Sequence, residues 1–187
     1  ATSNEDTIDY ILTNSESSYL LISENLLNKH KDSSLFSKGL KKIIVFEQEE
    51  KERENGVISF QDVIKEERSG FGFSPERQED KIASIIYTSG TTGDPKGVML
   101  CNNNFLSNIE AVEKRVNVFN TDIFLSFLPL SHVLERTVGS YVPIMSGAVI
   151  AYAESIQKLS DNLSEIRPTI LIAVPRVLEK AYSKTFE

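Results

Sequence analysis

Residues 88–96 contain the groups from which proteins build phosphate-binding loops. Their hydroxyl groups belong to Thr88, Ser89, Thr91 and Thr92. Gly90 and Gly93 have no Cβ, so the backbone N–H groups can turn towards a shared anion, and Lys96 adds a compact positive charge. We therefore predict that this segment, called the phosphate loop below, binds a phosphate chain. The alternative is a polar surface turn, because serine, threonine and glycine are also common turn residues.

The phosphate loop does not follow the two commonest nucleotide-binding patterns. A Walker A loop requires G-x-x-x-x-G-K-[ST], but Pro95 stands five residues after Gly90, and Lys96 is followed by glycine. The dinucleotide pattern G-x-G-x-x-G is absent from the sequence. Residues 82–87 and 97–100 are both typical of strands, so we expect the loop to join two strands. A helix dipole would then contribute little to anion binding.

The elements around this loop predict an α/β fold with a mainly parallel sheet and crossover helices. Short β-branched runs alternate with amphipathic stretches, which is typical of βαβ units. The predicted strands are residues 18–22, 42–46, 82–87, 97–100, 123–128, 148–152 and 169–173. Apolar residues at helical spacing predict helices over residues 105–116, capped by residues 102–104, and over residues 156–166, behind Ser155. Pro175 fits the first turn of a further helix.

The composition and charge of the chain exclude several classes of protein. The chain has 187 residues, 40% of them hydrophobic and 25% charged, as in ordinary globular proteins. Its net charge of -7 argues against nucleic-acid binding, and 17 of the 27 acidic residues precede residue 81. The longest apolar stretch, residues 141–153, is too short and too interrupted to cross a membrane. The first residues do not have the basic and then apolar pattern of a secretion signal, and Cys101 is the single cysteine, so we expect a cytoplasmic protein without disulfides or zinc.

Three segments carry a family resemblance. Residues 87–100, YTSGTTGDPKGVML, resemble the signature loop of the adenylate-forming (AMP-binding) superfamily. Residues 128–136, LPLSHVLER, are similar to the segment of long-chain fatty acid-CoA ligases that bears the acyl-site histidine. Residues 167–180 are similar to the R-P-T strand and V-P-R-V segment of the same group. The resemblance extends from about residue 6 to the end of the chain and is weakest over residues 25–70.

The resemblance implies a reaction and a set of site residues. ATP and a fatty carboxylate would form an acyl-adenylate and pyrophosphate, and coenzyme A would then take the acyl group, with Mg²⁺ assisting the first step. Residues 89–93 and Lys96 would hold the β- and γ-phosphates, and Thr88 would lend an oxygen to Mg²⁺. His132 would lie beside the reacting carboxylate, and Arg136 would face the acyl pocket.

Several of these roles have alternatives. His132 could instead cap the start of a helix after Ser131, and Arg136 could form an ion pair on a helix surface. Arg176 receives no role. Cys101 and the three asparagines after it replace the Thr-His that the family commonly has, and we expect Cys101 to be a small buried apolar residue and not a reactive thiol.

The resemblance also predicts that the chain is part of a larger enzyme. Members of the superfamily use a glutamate beside a threonine for Mg²⁺, an aspartate that binds the ribose and a lysine on a C-terminal domain, and we find no counterparts here. We expect a partial N-terminal domain, inactive alone, with an acidic βα segment over residues 1–80 and the phosphate loop and acyl pocket over residues 81–187. The C-terminal domain would be absent. The alternatives are another adenylate-forming enzyme, acting on aryl, short-chain or amino acids, and a non-catalytic nucleotide-binding module. Peripheral attachment to a membrane is left open.

Overall fold

The chain divides into two compact units that share the two strands flanking the phosphate loop. The computed structural model describes residues 5–30, 39–46, 56–65, 80–88, 94–175 and 177. The first unit comprises Ala1–Arg77 and Tyr87–Val98, and the second comprises Gln78–Ile86 and Met99–Glu187.

The first unit contains a three-stranded parallel sheet with the order β1-β2-β3. Its elements are α1 (Glu5–Asn14), β1 (Tyr19–Ser23), α2 (Glu24–Lys29), β2 (Lys42–Phe46), β3 (Val57–Ser59) and α3 (Phe60–Lys65). The buried residues Ile22, Leu27, Ile43 and Val45 form its core. The sequence predicted β2 with these bounds and β1 one residue too early. It did not predict β3 or the three short helices.

The second unit combines helices with a two-stranded parallel sheet, β6-β7. Its elements after the shared strands are α4 (Asn102–Glu113), β6 (Ile123–Ser126), a π-helix (Glu135–Tyr141), α5 (Val142–Ser146), β7 (Val149–Tyr152) and α6 (Leu159–Ile166). Phe105 and Ile109 of α4 pack with Phe124 of β6 and Val142 of α5 in the core. The ring of Phe105 meets the ring of Tyr141 edge to face, with centroids 5.2 Å apart.

Some predicted elements differ from the observed ones. The strand predicted over residues 169–173 is reduced to one parallel bridge between Ile170 and Phe124. Helix α4 has Cys101 as its N-cap, and not one of the predicted residues 102–104. The N–H of Cys101 donates to Oδ1 of Asn104 at 2.9 Å. Asn104, one of the predicted cap residues, therefore makes its capping contact from within the first turn of the helix. Helix α6 begins only at Leu159, after a turn in which Ser155 Oγ accepts the N–H of Lys158. The helix predicted from Pro175 lies mostly outside the described residues.

The mixed α/β architecture with parallel pairing confirms the predicted fold class. Among the helices of the described part of the chain, none has both the length and the apolar character that a membrane span requires.

Candidate functional site

The phosphate loop joins two paired strands, as the sequence predicted. Strand β4 (Ile82–Thr88) ends at Thr88, and strand β5 (Lys96–Cys101) begins at Lys96. Both residues are exposed. The structure does not describe the five candidate residues between these two ends, which are Ser89, Gly90, Thr91, Thr92 and Gly93. Paired strands fix the two ends of the loop, because the backbone on either side of it is held by hydrogen bonds.

The end of β4 is tied to helix α1 within the first unit. The hydroxyl of Tyr87 donates to Oδ1 of Asn14, and the two oxygens are 2.6 Å apart. Tyr87 directly precedes Thr88, so this bond restrains the residue on which the phosphate loop begins. Sequence reasoning missed this contact because its partners are 73 positions apart.

His132 lies in the second unit, in the turn between β6 and the π-helix. Its N–H donates to the carbonyl of Pro129 at 2.9 Å, and its carbonyl accepts the N–H of Arg136 at 3.0 Å. Nδ1 of the ring accepts the N–H of Leu134 at 3.3 Å. The ring therefore makes the capping contact that was one of the two alternatives for this residue. A neutral ring whose Nδ1 accepts carries its proton on Nε2, and that nitrogen can donate to an anionic oxygen.

Arg136 forms two hydrogen bonds that stabilise the same turn. Its Nε donates to the carbonyl of Leu130 at 3.2 Å, and its Nη1 donates to Oγ of Ser84 on β4 at 2.7 Å. Both acceptors are neutral, so these contacts are not the surface ion pair considered above. The guanidinium links the turn that carries His132 to Ser84, and both lie in the second unit.

An apolar pocket of about 370 Å³ lies between α4 and the residues around the start of the π-helix, within the second unit. It is lined by Leu100, Asn104, Phe105, Asn108, Val112, Val133, Leu134, Thr137 and Val138. Val133 and Leu134 directly follow His132, so one wall of the pocket adjoins the candidate catalytic residue. Arg136 is not among the lining residues. A mostly apolar lining with a few amide and hydroxyl groups is typical of sites for small organic ligands.

Glu135 is a buried residue of this region that the sequence did not single out. Only 1% of its surface is exposed, and its Oε1 accepts a hydrogen bond of 2.6 Å from Oγ of Ser126. Burial raises the pKa of Glu135 above its ordinary value of 4.5, and the bond from Ser126 opposes that shift. The available sequence signal was the H-x-x-E-R spacing. That spacing cannot tell which of its two charged residues turns inward.

This raised pKa predicts a pH effect on stability. The folded state binds the proton of Glu135 more tightly than the unfolded state, so ionisation of this group lowers the free energy of unfolding as the pH rises above 4.5 and through the raised pKa. Glu135→Gln cannot ionise. We expect the melting temperature of Glu135→Gln, relative to the parent, to increase over that pH window and then level off in the complete protein. A difference that is constant or decreases with pH would contradict the raised pKa.

The comparisons with known proteins assign the family. The family model described as AMP-binding enzyme matches residues 1–187, so the chain belongs to the AMP-binding enzyme family. Long chain acyl-CoA synthetase 7, peroxisomal, of Arabidopsis thaliana is 38% identical over 128 residues, which cover 67% of this chain and 18% of that protein. Long chain acyl-CoA synthetase 4 of the same organism is 31% identical over 192 residues, covering 95% of this chain and 29% of that protein.

The solved structures agree on the fold. The crystal structure of the anthranilate CoA ligase in complex with anthranoyl-AMP has a TM-score of 0.81 and 19% sequence identity, and the match covers 94% of this chain and 34% of that one. The matched part of the chain spans less than a third of the length of each of the two curated relatives, Long chain acyl-CoA synthetases 7 and 4. The family resemblance and the fold class predicted from the sequence are both confirmed.

Proposed function

We propose that this chain is part of a long-chain fatty acid-CoA ligase. The proposal rests on the apolar pocket, one wall of which includes Val133 and Leu134, the two residues that follow His132. The names of the two curated relatives support a fatty acid as the substrate. The overall reaction joins a fatty acid to coenzyme A and converts ATP to AMP and pyrophosphate.

In the first step the fatty carboxylate attacks the α-phosphorus of ATP, a P–O bond to pyrophosphate breaks, and an acyl-adenylate forms. The carboxylate is already a nucleophile, so the protein contributes mainly position and charge stabilisation. In the second step the sulfur of coenzyme A attacks the acyl carbon, its thiol proton is lost, and AMP leaves. The phosphate loop, Ser89 to Gly93 with Lys96, would hold the β- and γ-phosphates during the first step.

His132 would orient the reacting acid. With Nδ1 accepting the N–H of Leu134, Nε2 carries the proton and can donate to an oxygen of the carboxylate or the adenylate. The acyl chain would enter the adjoining pocket. For Arg136 we replace the expected acyl-pocket role with an indirect one, in which its bonds to Leu130 and Ser84 hold the turn that carries His132.

Thr88 remains our candidate for a magnesium ligand. It is an exposed hydroxyl at the end of β4, and a hydroxyl oxygen is a donor that Mg²⁺ accepts. No cluster of three metal-binding side chains occurs in the part of the chain that the structure describes, so most ligands would be phosphate oxygens, water and residues elsewhere in the protein. When bound, Mg²⁺ would neutralise charge on the phosphates.

We further propose that residues 1–187 are a segment of the large N-terminal domain, split into an acidic βα part and a part with the phosphate loop and pocket. The ribose-binding aspartate and the lysine of the C-terminal domain would then lie outside this segment, which would not catalyse the reaction alone. Cytoplasmic location stays a prediction, because two relatives are named as peroxisomal.

The substrate class is tested by ATP–pyrophosphate exchange in the complete protein that contains this chain. We expect exchange with palmitate, and little or none with benzoate, acetate or single amino acids. Exchange driven by one of those acids and not by palmitate would favour another adenylate-forming enzyme. Binding of ATP without exchange with any acid would favour a non-catalytic nucleotide-binding module.

The pocket assignment is tested by Val138→Phe, which places a ring in the space that we assign to the acyl chain. We expect the KM for palmitate to rise by about tenfold or more, while the KM for ATP changes by less than about twofold, because only the acyl site loses volume. Val116→Phe, at an exposed position beyond α4, is the control. Equal KM values for palmitate in Val138→Phe and the parent would place the acyl chain elsewhere.

A further inference from the structure

The π-helix of the second unit carries a buried carboxyl group that the proposed reaction does not use. Glu135 is its first residue, is 1% exposed and is bonded through Oε1 to the hydroxyl of Ser126. Ser126 is the last residue of β6 and is itself 5% exposed. This bond therefore joins the start of the π-helix to the end of the central strand of the unit.

The carboxyl group has room only because residue 139 is a glycine. A Cβ on Gly139 would lie 2.6 Å from Cδ of Glu135, far inside van der Waals contact. The end of a glutamate side chain can usually move away from such a contact. Here the side chain is enclosed and bonded to Ser126, so moving it would break that bond.

The buried polar groups are not fully satisfied. Among the described residues, Oε2 of Glu135 and Oγ of Ser140 are buried and have no hydrogen-bond partner. Unpartnered buried polar atoms lower stability, so an apolar residue at position 135 would serve the core better. Burial also raises the pKa of the carboxyl group, as expected for a site that disfavours charge. A carboxyl group that weakens the core in this way points to a role other than stability.

The register of this helix decides which residues line the acyl pocket. Thr137 and Val138 lie in the π-helix and form part of the pocket wall, and Leu134 directly precedes it. A π-helix is closed by hydrogen bonds that span five residues, whereas those of an α-helix span four, and π-turns are frequent at functional sites. Because each residue of an α-helix rotates the chain by about 100°, a change of this segment to the α-helical register would turn these side chains away from the pocket.

We propose that Glu135 is a positioning residue, which with Ser126 and Gly139 holds the segment after His132 in the π-helical register that forms the wall of the acyl site. The three residues are called the register lock below. The inference rests on the proposed function, since it assigns the pocket to the acyl group. Glu135 touches neither substrate nor reacting atoms and acts through Leu134, Thr137 and Val138.

The register lock is tested by steady-state kinetics on the complete protein. Glu135→Gln keeps an oxygen that accepts from Ser126 and keeps the shape of the side chain, so we expect its KM for palmitate to stay within about twofold of the parent. Glu135→Leu and Gly139→Ala break the lock in different ways. Both should raise the KM for palmitate by about tenfold, with the KM for ATP unchanged.

A double-mutant cycle isolates the contact between positions 135 and 139. In a Glu135→Ala background the carboxyl group that would meet the new Cβ is absent. Gly139→Ala should therefore raise the KM for palmitate much less there than in the parent, which is a strong coupling between the two sites. Glu165→Gln, an exposed glutamate on α6, is the matched control and should leave both KM values unchanged.

Three outcomes would overturn the inference. A loss of kcat in Glu135→Leu with the KM for palmitate unchanged, after correction for the amount of folded enzyme, would give Glu135 a merely structural role. If Gly139→Ala raises the KM for palmitate equally in the parent and in the Glu135→Ala background, positions 135 and 139 are not coupled and the proposal is contradicted. If Glu135→Leu does not fold, Ser126→Ala breaks the same bond without added bulk, and an unchanged KM there would also contradict the proposal.

The parent enzyme separates this inference from the proposed function. No exchange with palmitate in the parent would overturn the proposed function and this inference together. Palmitate-dependent exchange in the parent, combined with any of the three outcomes above, would overturn the register lock alone.

Discussion

Replacing Lys96 with alanine in the complete protein should lower the rate of acid-dependent ATP–pyrophosphate exchange by about 100-fold or more. Lys96 is the exposed first residue of β5, at the end of the phosphate loop. Its ammonium group would bind the β- and γ-phosphates, and the charge on these groups develops further as pyrophosphate leaves. Removing the ammonium group therefore weakens the transition state of adenylation more than it weakens the binding of ATP.

The second half-reaction provides the internal control for this prediction. Pyrophosphate has left before coenzyme A reacts, so the Lys96→Ala protein should transfer the acyl group from preformed acyl-adenylate within about threefold of the parent rate. Lys81→Ala, an exposed lysine just before β4, should affect neither step. Equal losses in both half-reactions would contradict the role that we propose for Lys96.

Replacing His132 should produce the second large effect, and the choice of substitution can separate its two roles. The ring accepts the N–H of Leu134 through Nδ1, and we propose that Nε2 donates to the reacting acid. Asparagine can place an oxygen near the position of Nδ1 but has no group that reaches the position of Nε2. We therefore expect His132→Asn to keep the parent melting temperature and to lose about 100-fold in kcat/KM for palmitate.

His132→Gln provides the complementary test. Its longer side chain can place an amide donor near the position of Nε2, so it should retain more activity than His132→Asn while losing the contact with the N–H of Leu134. If His132 acts only as a cap, the order is reversed, and His132→Asn is the more active of the two. If both variants are as active as the parent, the role that we propose for His132 in the acyl site is wrong.

The place of the phosphate loop in the fold could be predicted from the sequence because all of its groups are close together in the chain. The spacing of hydroxyls, glycines and Lys96 between two apolar runs predicted a loop joining two strands, and β4 and β5 flank it as expected. The role of His132 was predicted from the resemblance of residues 128–136 to the segment that bears the acyl-site histidine in long-chain fatty acid-CoA ligases, and it stays a prediction. Local patterns of this kind are visible in one sequence because their geometry is set by the nearby backbone.

Contacts between distant segments could not be predicted. Tyr87 and Asn14 are 73 positions apart, and Arg136 and Ser84 are 52 positions apart, so no local pattern connects them. The short strand β3 and the helices of the first unit also escaped prediction. Strand β3 and helices α2 and α3 have only three to six residues each, and packing within the sheet unit outweighs their weak intrinsic preferences.

The sequence by itself determined the fold class and the place of the phosphate loop between two strands, since side-chain type and spacing along the backbone are enough to specify them. Only the tertiary structure decided that Glu135 turns inward to Ser126 while its neighbour Arg136 reaches back to Leu130 and Ser84. The physical reason is the π-helix. In it the carboxyl group of Glu135 lies against Gly139 and bonds to Ser126 of β6, and both contacts exist only once β6 and the helix have packed together.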